Sequence, residues 1–230
     1  PSILLKAMEQ LPQHLKTVAD EPALFRQMLR VALGALPRAD AATIVRVPPD
    51  CPVGDLRVTV VSQNVRSPGA GATGEYMPSR RLVRRAVCER RKSCLHVWST
   101  NPTDFSPGGG SDHNLTLGMM HQQGATPWAI CTPFQDGSQL GLYVSGRLLA
   151  RSPSDVNPDQ SHLNEYQKFI EILVGLLETT RRTLRLTRQV AVTKQAWPTG
   201  VRKFLDDPDK VEEMLRPRER DVTVLFCDLR

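Results

Sequence analysis

With 40% hydrophobic and 23% charged residues over 230 positions and a net charge of +6, the chain can bury a sizeable core, which excludes disorder throughout. Aromatic residues amount to only 5%, too few for the stacking platform of a single-strand binder, and the positive excess gathers in Arg80 to Lys92 and Arg181 to Arg188, so no nucleic-acid partner is expected. No run of about 18 uncharged apolar residues is present, so no membrane partner is expected within this chain.

Residues 2 to 18 predict a first amphipathic helix, with Leu4, Met8, Leu11, Leu15 and Val18 at alternating steps of four and three and a kink at Pro12. A second helix is predicted from Pro22 to Leu36, ending before Pro37. Two strand-like runs follow, Ala41 to Val47 and Leu56 to Gln63, joined by the turn-rich PPDCPVGD. Beyond a Pro/Gly loop at Ser67 to Gly74, Ser79 is placed to cap a helix over Arg80 to Arg91 whose buried stripe is Leu82, Val83, Ala86 and Val87. Its Arg80, Arg81, Arg84 and Arg85 read as a solvated face.

Cys94 to Ser99 reads as a strand with Leu95 and Val97 on one face and Cys94, His96 and Trp98 on the other. The long Gly/Ser/Asn/Asp-rich stretch from Asn101 to Gly124 reads as a lid, a binding loop or a disordered segment, with one helical turn near Leu115 to Met120. Two more strands, Thr126 to Phe134 and Gln139 to Gly146, flank the hairpin signal QDGS. A small-molecule pocket is therefore expected between His96, Trp98 and Trp128, closed by the long loop.

The strongest helical signal is Asn157 to Ala191, opened by Asn157 as N-cap, Pro158 and Gln160. Leu163, Tyr166, Ile170, Leu173, Leu177, Thr180 and Leu184 form an unbroken seam, expected to pair two copies in a homodimer, with helix 2–18 able to join as a four-helix bundle. Phe169, Val174 and Leu176, off that seam, are expected to lean on the body of the domain. Arg181, Arg182, Arg185 and Arg188 are expected to complement the negative end of the helix dipole. Thr193 to Pro217 is a polar connector with a short helical piece at Asp209 to Leu215, and RDVTVLFCDLR reads as a buried strand ending on a carboxylate.

Five cysteines without a CxxC pair argue against a disulfide framework and against a zinc site, and a cytoplasmic location fits them best. His96, His113 and His121 lack the spacing of a metal site.

Helix, two strands, helix, strand, long loop, two strands and a closing helix resembles a GAF domain, a sensory α+β module built on a central antiparallel sheet. SRRLVRRAVCERRKSCLHVW looks like the family's helix and following strand, and TPWAICTPFQDGSQLGLYVSG like its last hairpin. The Asn-Lys, Phe, Asp-Glu signature of cyclic-nucleotide-binding members is not found, and Cys94 with His96 differs from the adjacent Cys-His of bilin-binding members, so the GAF ligand stays open. RPRERDVTVLFCDLR is similar to the opening strand of class III adenylate and guanylate cyclases, whose terminal Asp binds one of two catalytic magnesium or manganese ions; Asp228 holds that place.

Together the two resemblances imply a bacterial GAF-cyclase, a multidomain enzyme in which some relatives also carry an FHA domain. The implied layout is an N-terminal helix over 1–20, the GAF-like sensor with its signalling helix over 21–191, a linker over 192–217 and the first cyclase strand over 218–230. The opening on Pro1 and the stop at Arg230 lead to the expectation of an excerpt, catalytically incompetent and without a cofactor of its own. The alternatives are a GAF-fold enzyme that reduces free methionine sulfoxide with Cys88, Cys94 and Cys131, and a GAF domain that only dimerises.

Overall fold

Asp20 is a capping residue by its chemistry, and the computed structural model, which describes residues 3–16, 18–51, 56–66, 77–98, 125–149 and 161–196, shows it at work. Its carboxylate accepts a 2.7 Å hydrogen bond from the Ala23 amide and starts α2 (Glu21–Ala35) with Pro22 in the first turn. The preceding α1 (Ile3–Lys16) carries Pro12 inside it. The guanidinium of Arg66 donates to the carbonyls of Leu33, Leu36 and Pro37, groups that the end of a helix leaves without internal donors.

The strands are β1 (Ala39–Arg46), β2 (Thr59–Val65), β3 (Cys94–Val97), β4 (Ala125–Pro133) and β5 (Leu140–Leu149). They form one sheet in the order β2-β1-β5-β4-β3, antiparallel at every pairing. The expected mixed α+β class, a central antiparallel sheet with flanking helices, is therefore the observed one. Between β2 and β3, Ser79 Oγ accepts from Leu82 N at the start of α3 (Arg80–Val83), which continues as a π-helix, Arg84–Arg90. Leu82, Val83, Ala86 and Val87 are its buried residues, as the stripe predicted. The last element is α4 (Ser161–Ala196).

Because side chains alternate along a strand, the register divides the sheet into two faces. Ala42, Val144, Ile130 and Leu95 form one row, and Gly146, Trp128 and Val97 the next. This face packs against α1, α2 and α4 through Leu11, Leu24, Phe25, Met28, Leu29, Phe169 and Val174. A side chain at Gly146 would strike the Arg38 carbonyl, 1.9 Å from an added Cβ, so glycine lets the start of β1 cross there.

Three expectations about α4 are corrected here. Leu163, Ile170, Leu173 and Leu177 are 0% exposed within the single chain, Tyr166 is buried beside them, and Leu184 packs against the same cluster. The seam is the helix's contribution to its own core and is not available to a second copy. Leu4, Met8, Leu15 and Val18 also pack on that core, and Leu11 lies inside it. Leu176, expected to lean on the body, is 39% exposed. A stripe at steps of three and four serves a sheet and a partner helix equally well, so spacing alone does not separate them.

Arg181 is the other departure. It is 3% exposed rather than solvated at the helix end, with Nε 2.6 Å from Glu21 Oε1 and Nη1 2.6 Å from Asp136 Oδ2. It thereby ties α4 to the first residue of α2 and to the β4–β5 turn.

The chain divides into two compact units, Pro1–Leu184 and Arg185–Arg230. The first holds the sheet and its helices; the second holds the last part of α4 among the described residues. The first residues of the expected linker, 192–196, belong to α4, so the helix runs past the expected end at Ala191; the Asn157 cap, residues 197–217 and the strand ending at Asp228 lie outside the described residues. Among the described residues, no helix is long and apolar enough to cross a membrane.

Candidate functional site

The second face of the sheet is where sequence and register place unusual chemistry. One row across it reads Ala41, Ser145, Ala129 and His96, and the next reads Thr43, Tyr143, Cys131 and Cys94. Small residues, hydroxyls, thiols and an imidazole thus stand where the opposite face carries Leu, Ile, Val and Trp. Leu82, Val83, Ala86 and Val87 cover the part around Val45, Tyr143 and Cys131.

Thr43 is fully buried, and its Oγ1 has no hydrogen-bond partner among the described residues. The Tyr143 hydroxyl accepts from the Ser79 amide at 3.3 Å. Ser145 is 1% exposed. His96 is half-buried and stacks edge-on with Trp98, ring centroids 4.6 Å apart. These groups form a floor with hydrogen-bonding capacity, and Thr43 is the member whose capacity is unspent.

The predicted trio His96, Trp98 and Trp128 is only partly brought together. His96 and Trp98 share the second face as the alternation required. Trp128 pairs with Val97 and lies fully buried in the helical core, 5.8 Å from the Tyr166 ring. It therefore faces away from His96, because strand residues one step apart point to opposite sides. Its Nε1 has no hydrogen-bond partner among the described residues. The loop expected to close the pocket, Asn101 to Gly124, and His113 and His121 within it, lie outside the described residues. Among the described residues, no group of three or more His, Cys, Asp and Glu could hold a metal ion. A cleft of about 280 Å³, counting open solvent, lies elsewhere against Val87, Arg91, Phe134 and Gln135 and contains none of the predicted residues.

Cysteine chemistry also departs from expectation. Cys51 and Cys88 form a disulfide with Cα atoms 6.0 Å apart; an odd total argues against a full framework but does not forbid one bridge. The turn-rich segment after β1 brings Cys51, at φ 41°, to the π-helix that carries Cys88. Cys94 and Cys131 are free, buried and directly opposite on β3 and β4. Burial pushes both thiols up; Arg85 and Arg90 partly oppose this at Cys94, and the neighbouring Cys94 adds to it at Cys131.

Two outcomes are expected. Closing a span of 37 residues gives a chain-entropy contribution of about 3–4 kcal/mol, so Cys51→Ser with Cys88→Ser should lower the unfolding free energy by that order in urea titration. Iodoacetamide at mildly alkaline pH should leave Cys94 and Cys131 unlabelled in the folded chain and label both in urea, because thiolate is the reacting form; mass spectrometry of the peptides checks this.

No protein-family model matches the chain, and no curated protein matches it. Among solved structures, it is similar to the blue-light absorbing form of the PixJ GAF domain from Thermosynechococcus elongatus, at 14% identity and a TM-score of 0.47, over 78% of this chain and 95% of that one. It is also similar to the chromophore-binding domain of the bacteriophytochrome RpBphP3 from R. palustris, at 13% identity and a TM-score of 0.45, over 80% of this chain and 62% of that one. A third similar structure is the Stigmatella aurantiaca phytochrome photosensory core module, at 15% identity and a TM-score of 0.45, over 92% of this chain and 43% of that one. The chain thus spans less than two thirds of the length of these last two. Likeness at this level assigns the chain no ligand, and its floor is judged on its own residues.

Proposed function

We propose that the chain is a GAF-type sensory and dimerisation module that regulates an adenylate or guanylate cyclase output domain. The observation that carries the sensory part is the floor on the second face, with the buried hydroxyl of Thr43, unpartnered among the described residues, at the β1 end of one row. Such a group costs about 1–3 kcal/mol when left unsatisfied, and a small organic ligand with a donor or acceptor over the floor would recover it. Raised thiols at Cys94 and Cys131, with Cys88 held in a disulfide, favour this reading over a thiol-based redox enzyme.

The output rests on the similarity of RPRERDVTVLFCDLR to the first cyclase strand. In that reading Asp228 would be one of the carboxylates holding two magnesium or manganese ions, which would activate a ribose hydroxyl and stabilise the phosphates of ATP or GTP for conversion to cyclic nucleotide and pyrophosphate. The sensor itself needs no metal, and α4 leads from the sheet toward that strand in sequence.

Cyclic-nucleotide production by the full-length protein with ATP or GTP and manganese tests the output. Asp228→Asn should abolish it; full activity in that variant would refute the metal role. For the sensor, Thr43→Val should raise the melting temperature of the ligand-free chain, since it removes an unsatisfied hydroxyl, and should cancel any stabilisation by the natural ligand. A lowered melting temperature in the ligand-free variant would show that Thr43 is already satisfied and would remove the reason for the site.

A further inference from the structure

The helical cover of the second face is tied down along its length. At its start the Ser79 amide donates to the Tyr143 hydroxyl at 3.3 Å, and just past its end Gln135 Nε2 donates to the Arg91 carbonyl at 3.2 Å. Between these ties the Cys51–Cys88 bridge joins the π-helix Arg84–Arg90 to the segment that follows β1. A π-helix is a rare form that seldom persists unaided, and the bridge sits inside this one. Val87, next to Cys88, lies over the floor: a Cβ added at Gly141 would stand 3.1 Å from Val87 Cγ2 and 3.5 Å from Cys131 Sγ. A side chain that covers the free thiol of Cys131 is therefore one position from the bridge.

Cys51 and Cys88 are both half-buried, so a dissolved thiol can reach the bridge. Charge makes its two halves unequal. Cys88 stands among the exposed Arg85, Arg90 and Arg91, against the single carboxylate of Glu89, whereas Cys51 follows the exposed Asp50. Arg85 and Arg90 also partly oppose the effect of burial on the Cys94 thiol, so their field reaches this cluster. Positive charge stabilises a departing thiolate, and the sulfur that leaves more readily directs attack to its partner. Cys51 is held at φ 41°, a left-handed conformation uncommon for a residue with a side chain, and opening the bridge frees it to relax.

We infer that the Cys51–Cys88 bridge is a redox latch on the cover of the floor, opened by a small thiol such as glutathione. The thiolate of a first glutathione bonds to Cys51 Sγ, the Cys51–Cys88 bond breaks, and Cys88 leaves as thiolate. A second glutathione attacks the sulfur of the glutathione now on Cys51, which releases Cys51 as thiolate and forms oxidised glutathione. Two electrons thus pass to the two cysteines, which take up two protons from solvent. The freed π-helix then lifts Val87 from Cys131, and oxidised glutathione reverses the steps. The latch regulates access to the floor on which the sensor reading above rests, but its test reads thiols and amides, with no ligand or cyclic nucleotide, so the two can fail separately.

The full chain is reduced with excess dithiothreitol in native buffer and pulsed with iodoacetamide at mildly alkaline pH, and its peptides are read by mass spectrometry. Cys51 and Cys88 should label, and Cys131 should label about tenfold or more faster than in the bridged chain. Amide hydrogen exchange should quicken across residues 84–90 while α2 and β5 keep their protection. A bridge that stays closed, a Cys131 as slow to label as before, or protection lost equally in α2 and β5 would each overturn the proposal, the last by showing a bridge that only stabilises the whole fold. Brief treatment with glutathione followed by acid quench should place the mixed disulfide on Cys51. Glutathione found on Cys88 would overturn the order of attack.

Discussion

Replacing Ile170 and Leu177 with Asp is expected to abolish folding, not merely to separate subunits. Both side chains are 0% exposed in the single chain and sit in the cluster that contains Met28, Leu29, Trp128 and Val144. An isolated carboxylate in such a place either stays charged at a cost of several kcal/mol or takes up a proton, and two of them exceed what a domain with a total stability of about 5–15 kcal/mol can absorb. The milder Leu177→Ala should cost about 2–5 kcal/mol through lost transfer energy and the cavity left behind. A shift in the urea midpoint of Leu177→Ala, with an unchanged slope, checks the smaller change, and loss of the cooperative transition in the double Asp variant checks the larger.

The second large effect is expected at Arg181. Its guanidinium is buried between Glu21 and Asp136, with its carbon 6.0 Å from the centre of the Phe25 ring. Arg181→Ala leaves two carboxylates without their shared cation and removes a side chain that fills space between three elements. Breaking buried pairs costs about 3–5 kcal/mol; with Glu21 and Asp136 partly exposed, about 3 kcal/mol is the expected loss. Arg182→Ala, on the exposed side, should change stability by no more than about 0.5 kcal/mol.

The pH dependence reports on the same corner. Burial raises the Glu178 carboxyl above its ordinary range, Asp136 adds to this, and hydrogen bonds from the Gln135 and Asp136 amides and the charge of Arg181 oppose it. A carboxyl that holds its proton more tightly when folded favours the fold below the ordinary carboxylate range, and that contribution is lost as pH rises through the raised value. Without Arg181 the carboxyl should be raised further, so the loss should extend to higher pH in Arg181→Ala than in the parent, and should vanish in Glu178→Gln. Unfolding titrations across mildly acidic pH measure this.

Local signals made much of the fold legible. Pro22 placed the start of α2, the QDGS turn placed the β4–β5 hairpin, and alternation from Cys94 to Trp98 assigned both faces of β3 correctly. What was not legible depends on contacts remote in sequence. Trp128 could be assigned a face only once Val97 was known to pair with it. Cys51 and Cys88 met through a turn whose path no spacing rule specifies. Arg181 looked like three neighbouring arginines until Glu21 and Asp136, from elsewhere in the chain, were found beside it. For the proposed site, the polar side of β3 pointed to the second face of the sheet, whereas Thr43 in a run of otherwise small and apolar residues drew no notice, since a lone threonine in a strand is ordinary.

On α4 a face packed on its own sheet adjoins a face open to solvent, and two adjacent residues separate them. Leu177 is 0% exposed and Leu176 is 39% exposed. Leu176→Asp and Leu177→Asp, compared by sedimentation and thermal unfolding in one experiment, test the division directly. The expected result is a folded, cooperatively unfolding chain for Leu176→Asp and a chain without a cooperative unfolding transition for Leu177→Asp. A Leu177→Asp chain that unfolds as cooperatively as the parent, beside a Leu176→Asp chain that does not fold, would contradict it.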